Sequence, residues 1–471
     1  MNIAEMLFKN SGLNSMAVKC GTKSISYSAL CDQVRKLSLS IINKGSHIGI
    51  FMENSIEHIV AFFSIAYSGN AIIPINIKLS GREIRKICAE CEMVGVFSLL
   101  KYKEKIESMG IICPVWYIDN VDLGNKTDAF KAMDLTNQRA VILLTSGTLG
   151  NPKYIVLSHS SLFYNIEYMG RRFKRLSGGR EAVIFPLCSI LAVAQMLHSI
   201  SNGMVLELVQ GDLDVYKLCD LFVQEKITSS AMVPSILKMF GMSVEIGKYV
   251  FPSLERIFYA GEYLPKKDFC VLQRQLPNVC LIQAYGMTEI SPICMKDETD
   301  FAYKPESAGK IFPEVAVKIM DHGTEVERGC VGEIYAQGSN MMDGYLNEKK
   351  FLEDGYVATG DIGYLDSESY LFICGRSKNI IISGGQNIYP EEVEAVLQSY
   401  PGIREVKIYG QKDKDRGEAI AADIVLTNSE VFDRKSFYEF CRNNIAVYKM
   451  PQIINICKEI EKTITYKKVR K

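Results

Sequence analysis

Five short apolar runs in the middle of the chain, RAVILLTSG, EAVIFPL, ITSSAMVP, ERIFYAG and VCLIQAYG, each end within a few positions in small or polar residues. Runs of this length bounded by turn residues read as strands, and helical stretches lie between them, so the pattern predicts parallel sheets covered by helices. Ligands of such open sheets gather where the strands end. The first third has the same texture: a helical YSALCDQVRKLSLSII precedes HIGIFM, IEHIVAFFSIAYSG precedes AIIPIN, and SGREIRKICAE opens another helix. From about Val315 the pattern turns to β, with VAVKIM, GEIYAQG and GYLDSESYLFICG broken by Gly and Asp. A last unit follows Gly375, with a helix opened by Pro390, the strands REVKIYGQ and EAIAADIVL, and a helix near RKSFYEFCRNNI. Charges and glycines between Arg376 and Gly385 place a hinge there. The expected fold is α/β: a large N-terminal domain of α/β sheets plus a β subdomain, with a small mobile α+β C-terminal domain.

A chain of 471 residues buries a core without disulfides, and its 54 Lys+Arg balance 54 Asp+Glu, which argues against a nucleic-acid binder. Glu5 and Lys9 interrupt the apolar stretch a secretory signal needs, and the most apolar run, IVAFFSIAY, is far short of the ~20 residues that span a bilayer. A cytoplasmic protein without a membrane span is expected. The 14 cysteines are scattered apart from Cys88 and Cys91, whose helical spacing with Ile84 and Ile87 reads as a buried helix face; redox or metal chemistry is the alternative.

Three segments carry chemistry. LLTSGTLGNPKYIVLSH is a strand followed by a loop of Thr145, Ser146, Gly147, Thr148, Gly150 and Lys153, whose small residues let backbone N–H groups approach an anion while the lysine adds charge. The β- and γ-phosphates of a nucleotide fit such a loop; G-x-x-x-x-G-K-[ST] does not fit it, and a plain turn is the alternative. LIQAYGMTEISP is a strand expected to end at Ala284, then Tyr285 to stack on a purine, Thr288 to hold an α-phosphate oxygen and Glu289 to take Mg2+, unless it is an ordinary loop. In ATGDIGYLDSESYLFICGRSKNIIISGGQNIYPEEVE, Asp361 can accept both ribose hydroxyls and Arg376 can reach ribose or phosphate.

Taken in order, these segments closely resemble the adenylate-forming (AMP-binding) enzymes, in particular the acyl- and aryl-CoA synthetase branch, over essentially the whole chain. TSGTLGNPK is similar to the phosphate loop T-S-G-T-[TS]-G-x-P-K, AYGMTEISP to Y-G-M-T-E-x-S-P, and VGEIYAQGSNMMDGYLN to G-E-x-x-x-x-G-x-x-x-M-x-G-Y-x-N. TGDIGYLD and GRSKNIIISGGQNIYPEEVE match the ribose and hinge motifs, and EIEKTITYKKVRK resembles the final lysine segment. The resemblance implies a two-step reaction. A small carboxylic acid attacks the α-phosphate of Mg·ATP to give acyl-AMP and pyrophosphate, and a thiol of coenzyme A, or of a carrier protein's phosphopantetheine arm, then displaces AMP.

It implies an adenylation domain over 1–376 and a C-terminal lid over 377–471, with Lys378 at the hinge. Thr145, Ser146, Gly147, Thr148, Gly150 and Lys153 then hold pyrophosphate oxygens, Gly261, Glu262 and Tyr263 frame adenine and the acyl entry, and Ala284, Tyr285, Gly286 and Met287 border the base. Thr288 binds the α-phosphate, Glu289 and Thr148 the metal, Asp361 and Arg376 the ribose, and Ser383, Gly384 and Gly385 face the thiol. Lys467, with Lys468 as the other register, bridges carboxylate and α-phosphate, where a cation is needed as charge develops. The acyl pocket is expected around Ser189, Met232, Gly261, Met287 and Ile290, mostly apolar, which favours an aryl or medium acyl group.

Four positions depart from the family pattern: Tyr154 and Tyr466 stand where it has Gly, Glu461 where it has Pro, and Ser189 where CoA ligases often carry a gating His. Coenzyme A is expected ahead of a carrier protein, and a catalytically weak nucleotide-binding protein of this fold is the reading from another class.

Overall fold

The computed structural model describes residues 1–120, 134–145, 153–172, 178–211, 213–245, 247–262, 264–346, 354–383, 386–413, 417–427 and 432–461. Its strands form three sheets. In the largest, of 14 strands, Val205–Leu208, Arg180–Val183, Ser229–Met232, Arg256–Ala260 and Cys280–Met287 lie side by side and parallel. Ile290–Lys296 then returns antiparallel, and the hydrogen-bonded path continues through Gly309–Ile311, Tyr370–Arg376, Val357–Leu365, Gly332–Gly338 and Val315–Asp321. The β texture expected from Val315 is thus the far, antiparallel half of a sheet whose near half is parallel.

The second sheet, of 7 strands, has the parallel strands Ala71–Pro74, His47–Phe51, Met93–Ser98 and Val115–Tyr117 beside the hairpin Arg139–Thr145 and Lys153–Ser158, with Gly344–Tyr345 on its edge. Helices fill the space between the two sheets. Ile56–Tyr67 is apolar nearly all round, capped at its start by the Ser55 hydroxyl, with every side chain from His58 to Ala66 buried, as a helix between two layers requires. It shares one cluster with Ile190–Ser201, with Ile48 and Val141 of the second sheet and with Val183, Ala231 and Ile282 of the first. No described helix is long and apolar enough to cross a membrane.

Helix Gly81–Glu90 opens with a capping box between Ser80 and Glu83 and buries Ile84, Ile87 and Cys88; Cys91, at its end, is buried too. The Cys88/Cys91 pair therefore lies on the helix face packed inward, as its spacing suggests. Against the same face lies Tyr154, 4% exposed, its phenol donating 2.5 Å to Glu90 Oε2. Burial, then Glu90, pushes the phenol's pKa up, which keeps it a donor. Side chains alternate along a strand, so Tyr154 points into this core while Lys153 points to the other face. The departure from Gly at Tyr154 is thus a packing feature. Tyr154→Gly is expected to cost about 3–5 kcal/mol and Tyr154→Phe about 1 kcal/mol in thermal or denaturant unfolding.

The third sheet, of 5 strands, holds Gln386–Ile388, Ile381–Ser383, Gly417–Leu426 and Ile403–Asp413, with Ile453–Ile456 parallel to Gly417–Leu426. Its cluster of buried residues runs from Ile381 to Ile454 and includes Phe437 and Cys441 of helix Arg434–Asn444 and Val393 and Leu397 of helix Pro390–Leu397. Lys378 stands exposed in the short 3-10 turn Ser377–Asn379 that leads into it. The basic end, with Tyr466, Lys467 and Lys468, lies outside the described residues.

Candidate active site

The strand Cys280–Met287 runs three residues past the end expected at Ala284, because Ile290–Lys296 folds back onto it and pairs Tyr285 with Cys294 and Met287 with Ile290. Thr288 and Glu289 form the tight turn between them. Gly286 is required there: a Cβ would lie 2.9 Å from the Ile290 carbonyl oxygen and 3.1 Å from Ser291 Cα. The parallel neighbour Arg256–Ala260, in register with Ala260 beside Ala284, delivers Gly261 and Glu262 to the same edge. Gly261 has φ +90°, a conformation that L side chains rarely adopt. Gly261, Glu262, Ala284, Tyr285, Gly286, Met287, Thr288 and Glu289 therefore meet at the carboxyl ends of adjacent strands.

On one side of this hairpin lies Asp361, 6% exposed. The Tyr285 hydroxyl donates 2.6 Å to its Oδ2, and Arg376 Nε lies 2.7 Å from its Oδ1. Asp361 and Arg376 are cross-strand partners, and the Thr359 hydroxyl accepts the Asp361 N–H at 3.1 Å. Burial first, then the Asp361 carboxylate, hold the Tyr285 phenol well above its usual range, so it remains a donor. A carboxylate offers about four acceptor sites, more than Tyr285 and Arg376 use by themselves. The ring of Tyr285 is held by its own hydroxyl.

On the other side lie the residues of the expected phosphate loop. Thr145 and Lys153 are paired across the hairpin Arg139–Thr145 and Lys153–Ser158; Ser146, Gly147, Thr148 and Gly150 lie outside the described residues. The Lys153 ammonium sits over the Tyr345 ring, 4.2 Å from its centroid, and the Tyr345 hydroxyl donates 3.0 Å to Glu289 Oε1. Glu289 is 7% exposed, and its carbonyl accepts the Met342 N–H at 2.7 Å. The amides of Asn165 and Asn340 donate to the carbonyls of Ser291 and Pro292 just beyond the turn.

Tyr345, Asn165 and Asn340 were not singled out from the sequence, although Tyr345 lies in the quoted GYLN motif. Asn54 was also missed. It is 6% exposed, donates to the Phe185 and Val209 carbonyls, and accepts the Leu187 N–H, which fixes the FPL segment ahead of Ser189.

The expected acyl pocket is only partly assembled. Ser189 is the N-cap of helix Ile190–Ser201, its hydroxyl accepting the Ala192 N–H at 3.3 Å. Ser189 begins a helix of the cluster that holds Ile290, against which Met287 packs. Met232 does not join them: it is fully buried in a different cluster, with Ile236 and Leu237, while its strand neighbour Ala231 faces the cluster of Ile290. Tyr263, Gly384 and Gly385 lie outside the described residues, and Ser383, 7% exposed, ends the strand Ile381–Ser383.

A lysine and a buried carboxylate on one side of a strand hairpin, with a second buried carboxylate on the other, sit in the fold of the adenylate-forming enzymes. The chain belongs to the AMP-binding enzyme family: that family's profile matches residues 9–346, and the profile for the AMP-binding enzyme C-terminal domain matches residues 392–467. It is 29% identical to an indoleacetate–CoA ligase of Aromatoleum aromaticum over 100% of this chain and 97% of that protein. It is 28% identical to a 2-succinylbenzoate–CoA ligase of Bacillus cereus over 91% of this chain and 88% of that protein. Its fold is that of ATP-bound MatB from Rhodopseudomonas palustris, with a TM-score of 0.87, 21% identity and coverage of 99% and 97% of the two chains. It is equally that of the amide bond synthetase McbA from Marinactinospora thermotolerans, with a TM-score of 0.89, 20% identity and coverage of 99% and 97%.

Proposed function

We propose that this protein is an acid–thiol ligase: it converts a small carboxylic acid and ATP to acyl-AMP and pyrophosphate, then passes the acyl group to the thiol of coenzyme A and releases AMP. The observation that carries the reading is one hairpin, Cys280–Lys296, whose Tyr285 touches Asp361 while its Glu289 touches Tyr345 and, across that ring, Lys153. Asp361 and Arg376 then hold the ribose, Tyr285 borders the adenine, Thr288 takes an α-phosphate oxygen, and Thr145 with Lys153 receives the β- and γ-phosphates. Lys467 joins them from the C-terminal unit. The site fits Mg2+, which binds through one or two carboxylates plus substrate phosphates and water: Glu289 Oε1 is taken by Tyr345, while no hydrogen bond to Oε2 is found among the described residues. When bound, the metal offsets charge on the phosphates.

The division into an adenylation domain over 1–376 and a lid over 377–471 turning about Lys378 is part of the same proposal. The self-contained core between Ile381 and Ile454 supports it. The packing role of Tyr154 removes one reason to regard the chain as a weak nucleotide binder. Both relatives cited above bear the names of aromatic acids, which supports an aryl-bearing substrate. A panel of aryl and medium-chain carboxylic acids assayed for ATP-dependent pyrophosphate release is expected to show turnover with aryl acids, and coenzyme A is expected to yield the thioester. ATP binding without pyrophosphate release from any acid rejects the enzyme reading. Thioester formation only on a phosphopantetheinylated carrier protein rejects coenzyme A as the acceptor.

A further inference from the structure

Lys153 and Glu289 are brought to the same tyrosine, yet neither forms an ion pair among the described residues. The ammonium lies over the ring, 4.2 Å from its centroid, and the carboxylate accepts the hydroxyl at 3.0 Å. The ring's place is set by backbone. Gly344–Tyr345 pairs antiparallel with Lys153–Ser158, Tyr345 opposite Ile155, and the Leu346 N–H donates to the Tyr154 carbonyl. On the other side, the Met342 N–H holds the Glu289 carbonyl, and Met341 bridges to Ile290. The short segment from Met341 to Leu346 is thus fastened both to the strand that carries Lys153 and to the turn that carries Glu289. A cation over an aromatic face and a phenol on a carboxylate are each favourable, and both weaken when the partner charge is solvated instead.

We infer that Tyr345 is a positioning residue that keeps Lys153 and Glu289 from collapsing onto each other in the nucleotide-free site. Without it, a lysine and a buried carboxylate on facing elements would pair directly, and entering Mg·ATP would have to break that pair to use both charges. With it, the ammonium keeps a partner that a phosphate can displace, and the carboxylate is held by one oxygen with the other left for the metal. The inference rests on the assignment of Lys153 to the phosphates and Glu289 to Mg2+.

Tyr345→Phe keeps the ring and removes the hydroxyl. At fixed ATP, the Mg2+ concentration for half-maximal ATP binding, read by equilibrium dialysis without acid, and for half-maximal pyrophosphate release is expected to rise about tenfold, the worth of one charge-assisted hydrogen bond, while the KM for the acid stays unchanged. Tyr345→Leu removes the ring as well and is expected to raise the KM for ATP about fivefold or more even at saturating Mg2+. A merely structural role would lower kcat or the fraction folded in both variants and leave the Mg2+ dependence where it was, which overturns the inference. Glu289→Gln separates the two levels. If Glu289→Gln shifts the Mg2+ dependence and Tyr345→Phe does not, the inference falls and the metal assignment stands. If Glu289→Gln shifts nothing, the metal assignment falls and takes the inference with it. If both shift it and Tyr345→Phe adds nothing in the Glu289→Gln background, the two act as one unit, as inferred.

Discussion

Lys467→Ala is expected to slow acyl-adenylate formation by about 10²–10³-fold, the usual effect of removing one group aimed at developing transition-state charge. Thioester formation from supplied acyl-AMP is expected to change no more than a few-fold. The asymmetry follows from charge. In the first step an anionic carboxylate approaches an α-phosphate that is itself anionic, and negative charge grows on the phosphate oxygens. In the second step a thiol attacks a neutral carbonyl activated by its leaving group, and the cation between the two anions is no longer needed.

In sequence, Lys467 follows the strand Ile453–Ile456, which is paired into the third sheet. Single-turnover pyrophosphate release measures the first step, and loss of coenzyme A thiol in the presence of synthetic acyl-AMP measures the second. Equal losses in both would end the role given to Lys467. Lys468→Ala is the companion variant: near-normal adenylation is expected, and a loss confined to Lys468→Ala would move the catalytic register by one residue.

What could be read from the sequence, and what could not, divides along the range of the interactions. Strand and helix alternation follows from local periodicity, and so does the placing of Tyr27–Ser40, Ile56–Tyr67 and Arg256–Ala260 close to where the pattern puts them. The inward face of Cys88 and Cys91 follows from the same spacing. Contacts that cross the chain left no such trace. Tyr285 meets Asp361 across 76 positions, and Tyr345 meets Glu289 across 56.

The extension of Cys280–Met287 past Ala284 depends on its antiparallel partner, which no pattern within the strand announces. Met232 lies in a cluster other than that of Ile290. Its neighbour Ala231 faces the cluster of Ile290, so the alternation of side chains across a strand already sends Met232 to the other face. Ser189 stands where CoA ligases often carry a gating His; its hydroxyl caps the helix Ile190–Ser201, a use that Ser followed by an apolar helical run signals.

Asp361→Asn is expected to lower kcat/KM for ATP about 100-fold, with most of the loss in KM, because two charge-assisted bonds to the ribose become at best one neutral bond. The amide cannot replace the carboxylate where it stands. Tyr285 donates to one oxygen at 2.6 Å and Arg376 presents Nε to the other at 2.7 Å. An asparagine has one acceptor atom and one that only donates: with Oδ1 toward Arg376 the phenol must turn to accept from Nδ2, and with Oδ1 toward Tyr285 the guanidinium loses its partner. Arg376, 45% exposed, can turn to water. The phenol, as donor or as acceptor, keeps a bond to the amide in either orientation. Folding should therefore survive with a loss of about 1–2 kcal/mol, and the nucleotide should not. The decisive readout is discrimination among nucleotides. The unaltered protein is expected to use 2′-deoxy-ATP and 3′-deoxy-ATP at least tenfold less efficiently than ATP, because each lacks a hydroxyl that the carboxylate accepts. In Asp361→Asn the three nucleotides should converge to within a few-fold. If the variant is weakened yet still prefers ATP over both deoxy forms by the original ratio, Asp361 acts only as the brace between Tyr285 and Arg376, and the ribose is read elsewhere.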